Sequence, residues 1–293
     1  MSDRLSFSLV REHGDLRTMT TPCNLWLGMP SRADNVALVR QAFGGLADAV
    51  GISETLLADV KTAVSEACNN VVVHAYGGDE GPLEVTVGVD GNQLLVLVRD
   101  QGGGIQPTPA LTEQTVHGVG LSLIQALTER VEFAGAPERG TEVRMTFAAE
   151  HELGDPDETT SATPAKPPQD GLEVSIGQGE LVAPVLGRII AMLAARAGFS
   201  IDRLSDAQLV SDALSAHAPT YVHGDDVRVA FQDSDRSLEA RVGQELVGAT
   251  FDERADADLP GIGRLLEQLA DEVRTERVNG GGEFLVLKLS EKG

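Results

Sequence analysis

The 293-residue sequence runs twice through one order of predicted elements, with a period of about 145 residues. In each half, two helices precede a hairpin, and a helix that opens among glycines precedes a final strand. The two helices are separated by similar breaks, Gly51-Ile52-Ser53 in the first half and Gly198-Phe199-Ser200 in the second. A period of this length predicts the duplication of a domain rather than a solenoid.

Hydrophobic spacing predicts an α+β fold for the first half. Residues Ser31 to Asp34 can cap one helix, Ser53 can cap another, and Asp90-Gly91 indicates a hairpin turn. The predicted elements are helices with inner faces at Val36, Val39, Phe43, Leu46 and at Leu56, Val60, Ala63, Val64, Ala67, strands over 83–89 and 94–98, a helix over 119–130, and a hairpin of strands over 131–134 and 141–147.

The second half is predicted to fold in the same way. Its elements are a helix containing Leu186, Ile189, Ile190 and Leu193, a helix over 204–214, a hairpin over 227–231 and 238–242, a helix opened by residues 259–263, and a strand over 284–289. Between the halves, residues 151–170 hold four of the thirteen prolines and few apolar side chains, so burial cannot repay the entropy of ordering them. We therefore expect domains over 1–150 and 171–293, joined by a flexible linker over 151–170.

The excess of acidic residues argues against one class of function, the direct binding of nucleic acid. Forty-five acidic residues against twenty-three basic ones give a net charge of −22, which argues against direct nucleic-acid binding. The two cysteines form neither a disulfide framework nor a metal-site spacing, as is typical of a reducing compartment. The longest apolar stretch, from Leu181 to Phe199, is interrupted by Pro184, Arg188 and Arg196. We expect a cytoplasmic protein with no membrane segment.

Four features in the first half could carry chemistry. Glu66 and Asn70 stand four residues apart, so a helix places both on one face. The amide oxygen of Asn70 suits Mg²⁺, and the Glu66 carboxylate can accept a proton. Alone, such a pair is more often a solvated helix face.

The other three features are glycine-rich or follow a strand. Asp100 ends a strand ahead of Gly102 and Gly104, and its carboxylate can accept the hydrogen bonds that an adenine edge donates. The run Gly118-Val119-Gly120-Leu121 leads into a helix, whose N-terminal amides and dipole favour a phosphate. Thr141 follows Gly140 at the start of the last strand. Alone, these are ordinary turns and helix starts.

Taken together, the four features resemble the ATP-binding fold shared by gyrase, histidine kinases and mismatch-repair ATPases. The resemblance covers residues 30–147 and implies a two-layer α/β sandwich of the histidine-kinase-like type. Within it, Glu66-Ala67-Cys68-Asn69-Asn70 followed by His74-Ala75-Tyr76 is most similar to the anti-sigma-factor serine kinases. That family implies ATP and Mg²⁺ as cofactors, and an anti-sigma antagonist protein and a sigma factor as partners.

The resemblance also implies a role for each matching residue. Glu66 would be the general base, Asn70 the Mg²⁺ ligand, and Asp100 the adenine reader, with Thr141 supporting it through water. Gly102 and Gly104 would hinge a lid between Ile105 and His117, and the amides around Gly118, Val119, Gly120 and Leu121 would meet the phosphates. His74 is expected to pack or cap, and Cys68 to be a buried small residue.

The second half departs from this pattern. Aligning the helices places Ala213 opposite Glu66 and His217 opposite Asn70, and aligning the hairpins places Gly243 opposite Asp100. Gly261 and Gly263 match Gly118 and Gly120. We therefore interpret this half as a degenerate copy without nucleotide-binding residues.

The sequence leaves three functions open: an ATP- and Mg²⁺-dependent serine/threonine kinase of the anti-sigma type, a non-catalytic ATP/ADP-binding switch scaffold, and, least favoured, a mechanical ATPase. A duplicated chain could also pair its halves internally, as a monomer with a pseudo-twofold pair of domains and an apolar interface. The helix near Leu186 is a candidate for that interface. The alternative is that the halves do not touch and the second is a separate partner-docking module.

Overall fold

The computed structural model describes residues 23–103, 118–136, 139–154, 161–177, 179–221, 226–243, 262–278 and 282–291. The first half contains β1 (Leu25–Pro30), α1 (Ala33–Val50), α2 (Glu54–Asn70), β2 (Pro82–Asp90), β3 (Gln93–Asp100), α3 (Gly118–Leu127), β4 (Arg130–Gly135) and β5 (Thr141–Ala148). The second half contains β6 (Leu172–Gly177), α4 (Val182–Arg196), α5 (Ile201–Tyr221), β7 (Asp226–Ser234), β8 (Ser237–Val242), α6 (Ile262–Leu269), β9 (Glu272–Val278) and β10 (Gly282–Ser290).

The described strands form one ten-stranded antiparallel sheet in the order β4-β5-β3-β2-β1-β6-β7-β8-β10-β9. Each half contributes five adjacent strands in the same internal order, and the halves meet where β1 pairs with β6. Helices α1 and α4 also pack on each other across this junction. We call β1, β6, α1 and α4 together the seam.

Equivalent positions in the two halves follow from matching backbone features. Gly51 and Gly198, 147 residues apart, both end a helix in the left-handed conformation, with φ of 76° and 75°. The hydroxyls of Ser53 and Ser200 then accept a hydrogen bond from the amide three residues later, which caps α2 and α5. The helices of the two halves are therefore related by 147 positions.

The hairpins are related by 144 positions, because Asp90 pairs with Gln93 at one turn and Ser234 with Ser237 at the other. Leu27 pairs with Val85 in β2, and Val174 pairs with Val229 in β7. Leu27 and Val174 are thus equivalent residues, and they also face each other directly in the β1–β6 pair. A pseudo-twofold axis passes through this pair and relates the two halves.

The predicted elements are largely confirmed, with differences at their ends. The helix expected over 119–130 ends at Leu127, because the Glu129 amide already bonds to Thr146 and Arg130 pairs with Thr146 as the start of β4. Strands β1, β6 and β9 are absent from the sequence prediction. The sequence LWLGMP in β1 is apolar on both faces and lacks the alternation that indicates a strand.

A single apolar core runs through both halves and across the seam. Its seam portion contains Leu27, Phe43, Val174 and Ile189, all at most 1% exposed. The helix near Leu186 therefore contributes to the junction, and the centre of the junction is apolar as expected. In the described part of the chain, no helix is both long and apolar enough to cross a membrane.

The segment expected to be a linker lies partly within the described residues. Residues 161–170 have neither helix nor strand and contact the sheet at the seam. The Ala162 amide donates to the Cys23 carbonyl, and the Thr163 amide donates to the Ser175 hydroxyl at 2.9 Å. Arg32 pairs with Asp170 at 2.8 Å. The division of the chain into domains at 151–170 stays a prediction.

Candidate functional site

Helix α2 presents Glu66 and Asn70 on one face, as the spacing predicts. Val60, Ala63, Val64 and Ala67 bury the opposite face of the helix, which leaves Glu66 and Asn70 half-exposed. After Asn70 the backbone widens into a π-helical turn over Val71–Ala75. Such turns are rare and concentrate at functional sites.

Both side chains converge on the N-terminal turn of α3. A Cβ added at Gly120 would lie 3.1 Å from Oε2 of Glu66 and 4.0 Å from Oδ1 of Asn70. Helix α3 begins at Gly118, so the carboxylate and the carboxamide lie beside its first turn. The structure thus brings together a candidate base, a candidate metal ligand and a candidate phosphate cradle.

Asp100 lies at the end of β3 and is 4% exposed. Its Oδ1 accepts a hydrogen bond from the Gly102 amide at 2.8 Å, which fixes the carboxylate and leaves Oδ2 without a bond from that amide. A Cβ at Gly102 would lie 2.1 Å from the Ala75 carbonyl oxygen, and one at Gly140 would lie 2.0 Å from the Asp100 carbonyl oxygen. The close approach of these backbones requires glycine at both positions.

Tyr76 connects this strand end to α2. Its hydroxyl donates to the Pro82 carbonyl at 2.5 Å and accepts from the Gln101 amide at 2.9 Å. Its ring covers Gly81, where a Cβ would lie 2.2 Å from the ring. Burial of the hydroxyl raises the pKa of Tyr76 to about 12. The tyrosine therefore connects the backbone that follows Asp100 to the start of β2.

The remaining predicted site residues are placed as follows. Thr141 begins β5, one step beyond the Arg99–Glu142 pair and therefore beside Asp100. Leu121 is 41% exposed on the first turn of α3. Val119 belongs to the same turn by its backbone. Gly104, Ile105 and the rest of the expected lid through His117 lie outside the described residues.

The chemistry of this donor set fits a nucleotide with its metal. Among the described residues, no group of three or more His, Cys, Asp or Glu side chains could hold a metal ion by itself. A magnesium ion at Asn70 would take phosphate oxygens and waters as its further ligands, which matches its habit of binding through few protein groups. The glycine at position 120 lets the Glu66 carboxylate approach α3 closely, where a side chain would crowd it.

One residue of importance was missed by the sequence prediction. Tyr76 is part of the quoted His-Ala-Tyr run, but no role was assigned to it, because its two partners are backbone groups of distant segments. Cys68 is fully buried as expected, and that burial raises the pKa of its thiol to about 12. His74 is exposed at the π-helical turn.

The second half lacks the helix groups of the site. The 147-residue relation places Ala213 opposite Glu66, as expected, and Ala213 is 8% exposed. His217 stands at the position of Asn70, and its side chain lies outside the described residues. An alanine cannot accept a proton, so the candidate base has no counterpart in α5.

The expected counterpart of Asp100 is wrong by one residue. Arg99 pairs with Glu84 in the first hairpin, and the Gly243 amide bonds to the carbonyl of Arg228, which is the residue equivalent to Glu84. The 144-residue relation of the hairpins therefore puts Gly243 opposite Arg99. Gln244 then follows opposite Asp100, so the carboxylate is still missing.

The glycines of the third helices also differ from expectation. The Glu129 amide bonds to Thr146, and the Asp271 amide bonds to Lys288, which relates this region by 142 positions. Gly263 then stands opposite Leu121 rather than Gly120. Gly261 lies outside the described residues. The second copy of the phosphate cradle is thus less complete than the sequence alignment suggests.

The first half of the chain is similar to known proteins. Residues 29–147 match the family model described as the histidine kinase-like ATPase domain. The chain is 30% identical over 128 residues to the anti-sigma F factor of Thermoanaerobacter sp. (strain X514), a match that covers 41% of this chain and 90% of that protein. It is 30% identical over 130 residues to the serine-protein kinase RsbW of Bacillus thuringiensis (strain Al Hakam), covering 40% and 80%.

The solved blue-light activated histidine kinase of Erythrobacter litoralis EL346 is more distant, with a TM-score of 0.29 and 20% identity over 33% of this chain and 31% of that chain. Residues 29–147, which match the family model, include Glu66, Asn70 and Asp100. The chain therefore belongs to the family of histidine kinase-like ATPase proteins that includes anti-sigma F factor and the serine-protein kinase RsbW.

Proposed function

We propose that the first half binds ATP with Mg²⁺ and transfers the γ-phosphoryl group to a serine or threonine hydroxyl of a partner protein. The observation that carries this proposal is the convergence of Glu66 and Asn70 on Gly120, at the N-terminus of α3. Phosphoryl transfer needs mainly positioning and neutralisation of charge. A carboxylate, an amide ligand and a helix N-terminus supply those needs at one place.

Each group has a distinct task in the reaction. The Glu66 carboxylate takes the proton of the attacking serine or threonine hydroxyl. The hydroxyl oxygen forms a bond to the γ-phosphorus, and the bond from the γ-phosphorus to the ADP oxygen breaks. Asp100 accepts a hydrogen bond from the adenine amino group and so fixes the position of the nucleotide. Asn70 would hold a magnesium ion, which would supply positive charge against the phosphates. The amides of the first turn of α3 bind the phosphates.

The names of the relatives suggest the partners. The matched proteins are an anti-sigma F factor and a serine-protein kinase. We therefore infer that the phosphorylated protein is an anti-sigma antagonist, and that the chain binds and releases a sigma factor according to the phosphorylation state of that antagonist. Partners would bind in the cytoplasm, with no direct contact to nucleic acid or membrane.

The competing function is a non-catalytic switch, in which the first half binds ATP or ADP and the chain only docks its partners. Nucleotide binding does not need a base, whereas phosphoryl transfer does. Glu66 therefore separates the two functions.

The test compares wild type with Glu66→Gln, using γ-labelled ATP and the proteins that the full chain captures from native lysate. The glutamine keeps the shape and loses the basic carboxylate, so labelling should slow by about 10²–10⁴-fold while ATP affinity changes little. Glu54→Gln, at the exposed start of α2, is the matched control and should label normally. Equal labelling by Glu66→Gln and wild type would exclude Glu66 as the base, and an absence of labelling in both would favour the switch.

A further inference from the structure

The seam joins two halves that are similar in fold but different in sequence. In a symmetric pair of identical domains, every contact across the axis would occur twice. In this chain the two contacts that the axis relates are made by different side chains, because equivalent positions of the two halves hold different residues. The differences between the two sets show which pairings this surface accepts.

One side of the seam is polar. Arg196 at the end of α4 donates to both carboxylate oxygens of Asp233 in β7, at 2.6 and 2.5 Å, and to Oδ1 of Asn35 in α1 at 2.9 Å. Asn35 is 3% exposed, and its Nδ2 donates to the Pro30 carbonyl at 2.9 Å. We call Asn35, Arg196 and Asp233 the seam triad. The buried amide of Asn35 is satisfied on both sides only because the other half supplies Arg196.

The opposite side of the seam is apolar. The positions equivalent to the seam triad are Val182, Ala49 and Val89, by the 147-residue relation of the helices and the 144-residue relation of the hairpins. Val182 and Val89 are at most 5% exposed, and Ala49 packs against the core. Each polar residue of one half is thus replaced by an apolar residue in the other.

A pair of two first halves would break this match. Asn35 of each copy would face Ala49 and Val89, and its Oδ1 would lose the guanidinium from which it accepts a hydrogen bond. A buried carbonyl oxygen without a donor is costly, and a symmetric pair would contain two of them. Pairing of like with like is therefore penalised at the seam triad.

A pair of two second halves is opposed by packing. Gly45 of α1 sits against α4, where an added Cβ would lie 2.4 Å from the Pro184 carbonyl oxygen. The residue equivalent to Gly45 is Met192, which has a long side chain. Two second halves would set Met192 against Pro184 at that crossing, where no Cβ fits.

We propose that the β1–α1 surface of the first half is selective for a domain of the second-half type and rejects another nucleotide-binding half, whether from a second copy of this chain or from a one-domain relative. Selection of this kind works by repulsion as well as attraction, since the wrong partner leaves a buried polar group unpaired. This selectivity prevents the duplicated chain from pairing with proteins that resemble its own first half.

The experiment uses the full chain with a site-specific protease site inserted between residues 155 and 160, cleaved after folding so that the halves are no longer tethered. The Leu27→Cys variant detects pairing between two first halves, because the twofold axis would place their introduced thiols opposite each other and allow a disulfide to form. Leu27→Cys with Val174→Cys reports on unlike pairing, since these two positions face each other in the structure. Disulfides formed under mild oxidation are separated by mass on non-reducing gels, with the wild-type nicked chain as the control for Cys23 and Cys68.

With the seam triad intact, the double-cysteine chain should cross-link first half to second half, and the Leu27→Cys chain should give few links between first halves. Replacing the triad by its equivalents, Asn35→Val, Arg196→Ala and Asp233→Val, should raise links between first halves by at least about tenfold. Equal yields with and without the triad would overturn the proposal. Failure of the double-cysteine chain to cross-link would also overturn it, because a selective surface must hold its partner without the tether.

Discussion

Leu27 and Val174 lie directly opposite one another in the β1–β6 pair and are also equivalent residues of the two halves. This coincidence places a pseudo-twofold axis inside a single chain. The axis relates the half that holds Glu66, Asn70 and Asp100 to a half that has Ala213, His217 and Gln244 at the equivalent positions. One chain thus has the architecture of a pair with a single candidate site.

The crossing of α1 and α4 gives a direct test of the seam. We expect Gly45→Ala to lower the free energy of unfolding by about 1–3 kcal/mol, because its Cβ would lie 2.4 Å from a backbone oxygen that cannot move away easily. Gly44→Ala is the matched control, since its nearest neighbour is the flexible side chain of Arg188 at 3.2 Å. Denaturant unfolding that shows equal stability for the two variants would contradict the crossing geometry.

Much of this fold follows from the sequence, and the reasons for the misses are physical. Glycine breaks and serine caps locate α1, α2, α4 and α5, because those signals are local. Strand β1 escapes prediction because its residues are buried on both faces at the centre of the sheet, so LWLGMP lacks a clean alternation. The sequence LEVSIG of β6 does alternate, but it is only six residues long and directly follows the proline-rich segment expected to be a linker. The pairing of β1 with β6 depends on contacts between residues almost 150 positions apart, which no local pattern reports.

In the candidate site, too, the sequence predicts the local motifs but not the contacts that depend on tertiary packing. The spacing of Glu66 and Asn70 and the glycines after Asp100 indicate the motif elements directly. Their convergence on Gly120 depends on the packing of α2 against α3, and the contacts of Tyr76 depend on backbone groups of other segments. The register of β7 and β8 corrects the alignment of Gly243 by one residue. Each cross-strand pair fixes which residues lie opposite one another, whereas sequence similarity tolerates a shift of one position.

Tyr76→Phe should weaken ATP binding without removing it. The phenylalanine keeps the ring over Gly81 but loses the hydroxyl that holds the Gln101 amide and the Pro82 carbonyl. Two lost hydrogen bonds of about 1 kcal/mol each predict a rise in the dissociation constant for ATP of up to about thirtyfold. Thr62→Ala, which removes an exposed hydroxyl from α2, should bind ATP like wild type. Unchanged affinity in Tyr76→Phe would remove the positioning role of the hydroxyl.

The buried thiol of Cys68 should make the protein sensitive to alkali. Burial raises the pKa of Cys68 from 9.0 to about 12, so the folded state favours the neutral thiol. This contribution is fully present below pH 9 and is lost as the pH rises from 9 towards 12, because the unfolded chain ionises first. Cys68→Ala should therefore lose less stability than wild type between about pH 8 and pH 11 in denaturant titrations. Parallel losses in both proteins would contradict this assignment.

We propose that one chain carries one nucleotide site and that this site lies in the first half. Calorimetric titration of the full chain with ATP in the presence of Mg²⁺ tests it most directly. We predict one ATP bound per chain, a requirement for Mg²⁺, and at least about tenfold weaker binding in Asp100→Asn, with Asp90→Asn in the exposed hairpin turn as an unaffected control. Two equivalent sites per chain, or unchanged affinity in Asp100→Asn, would contradict the account.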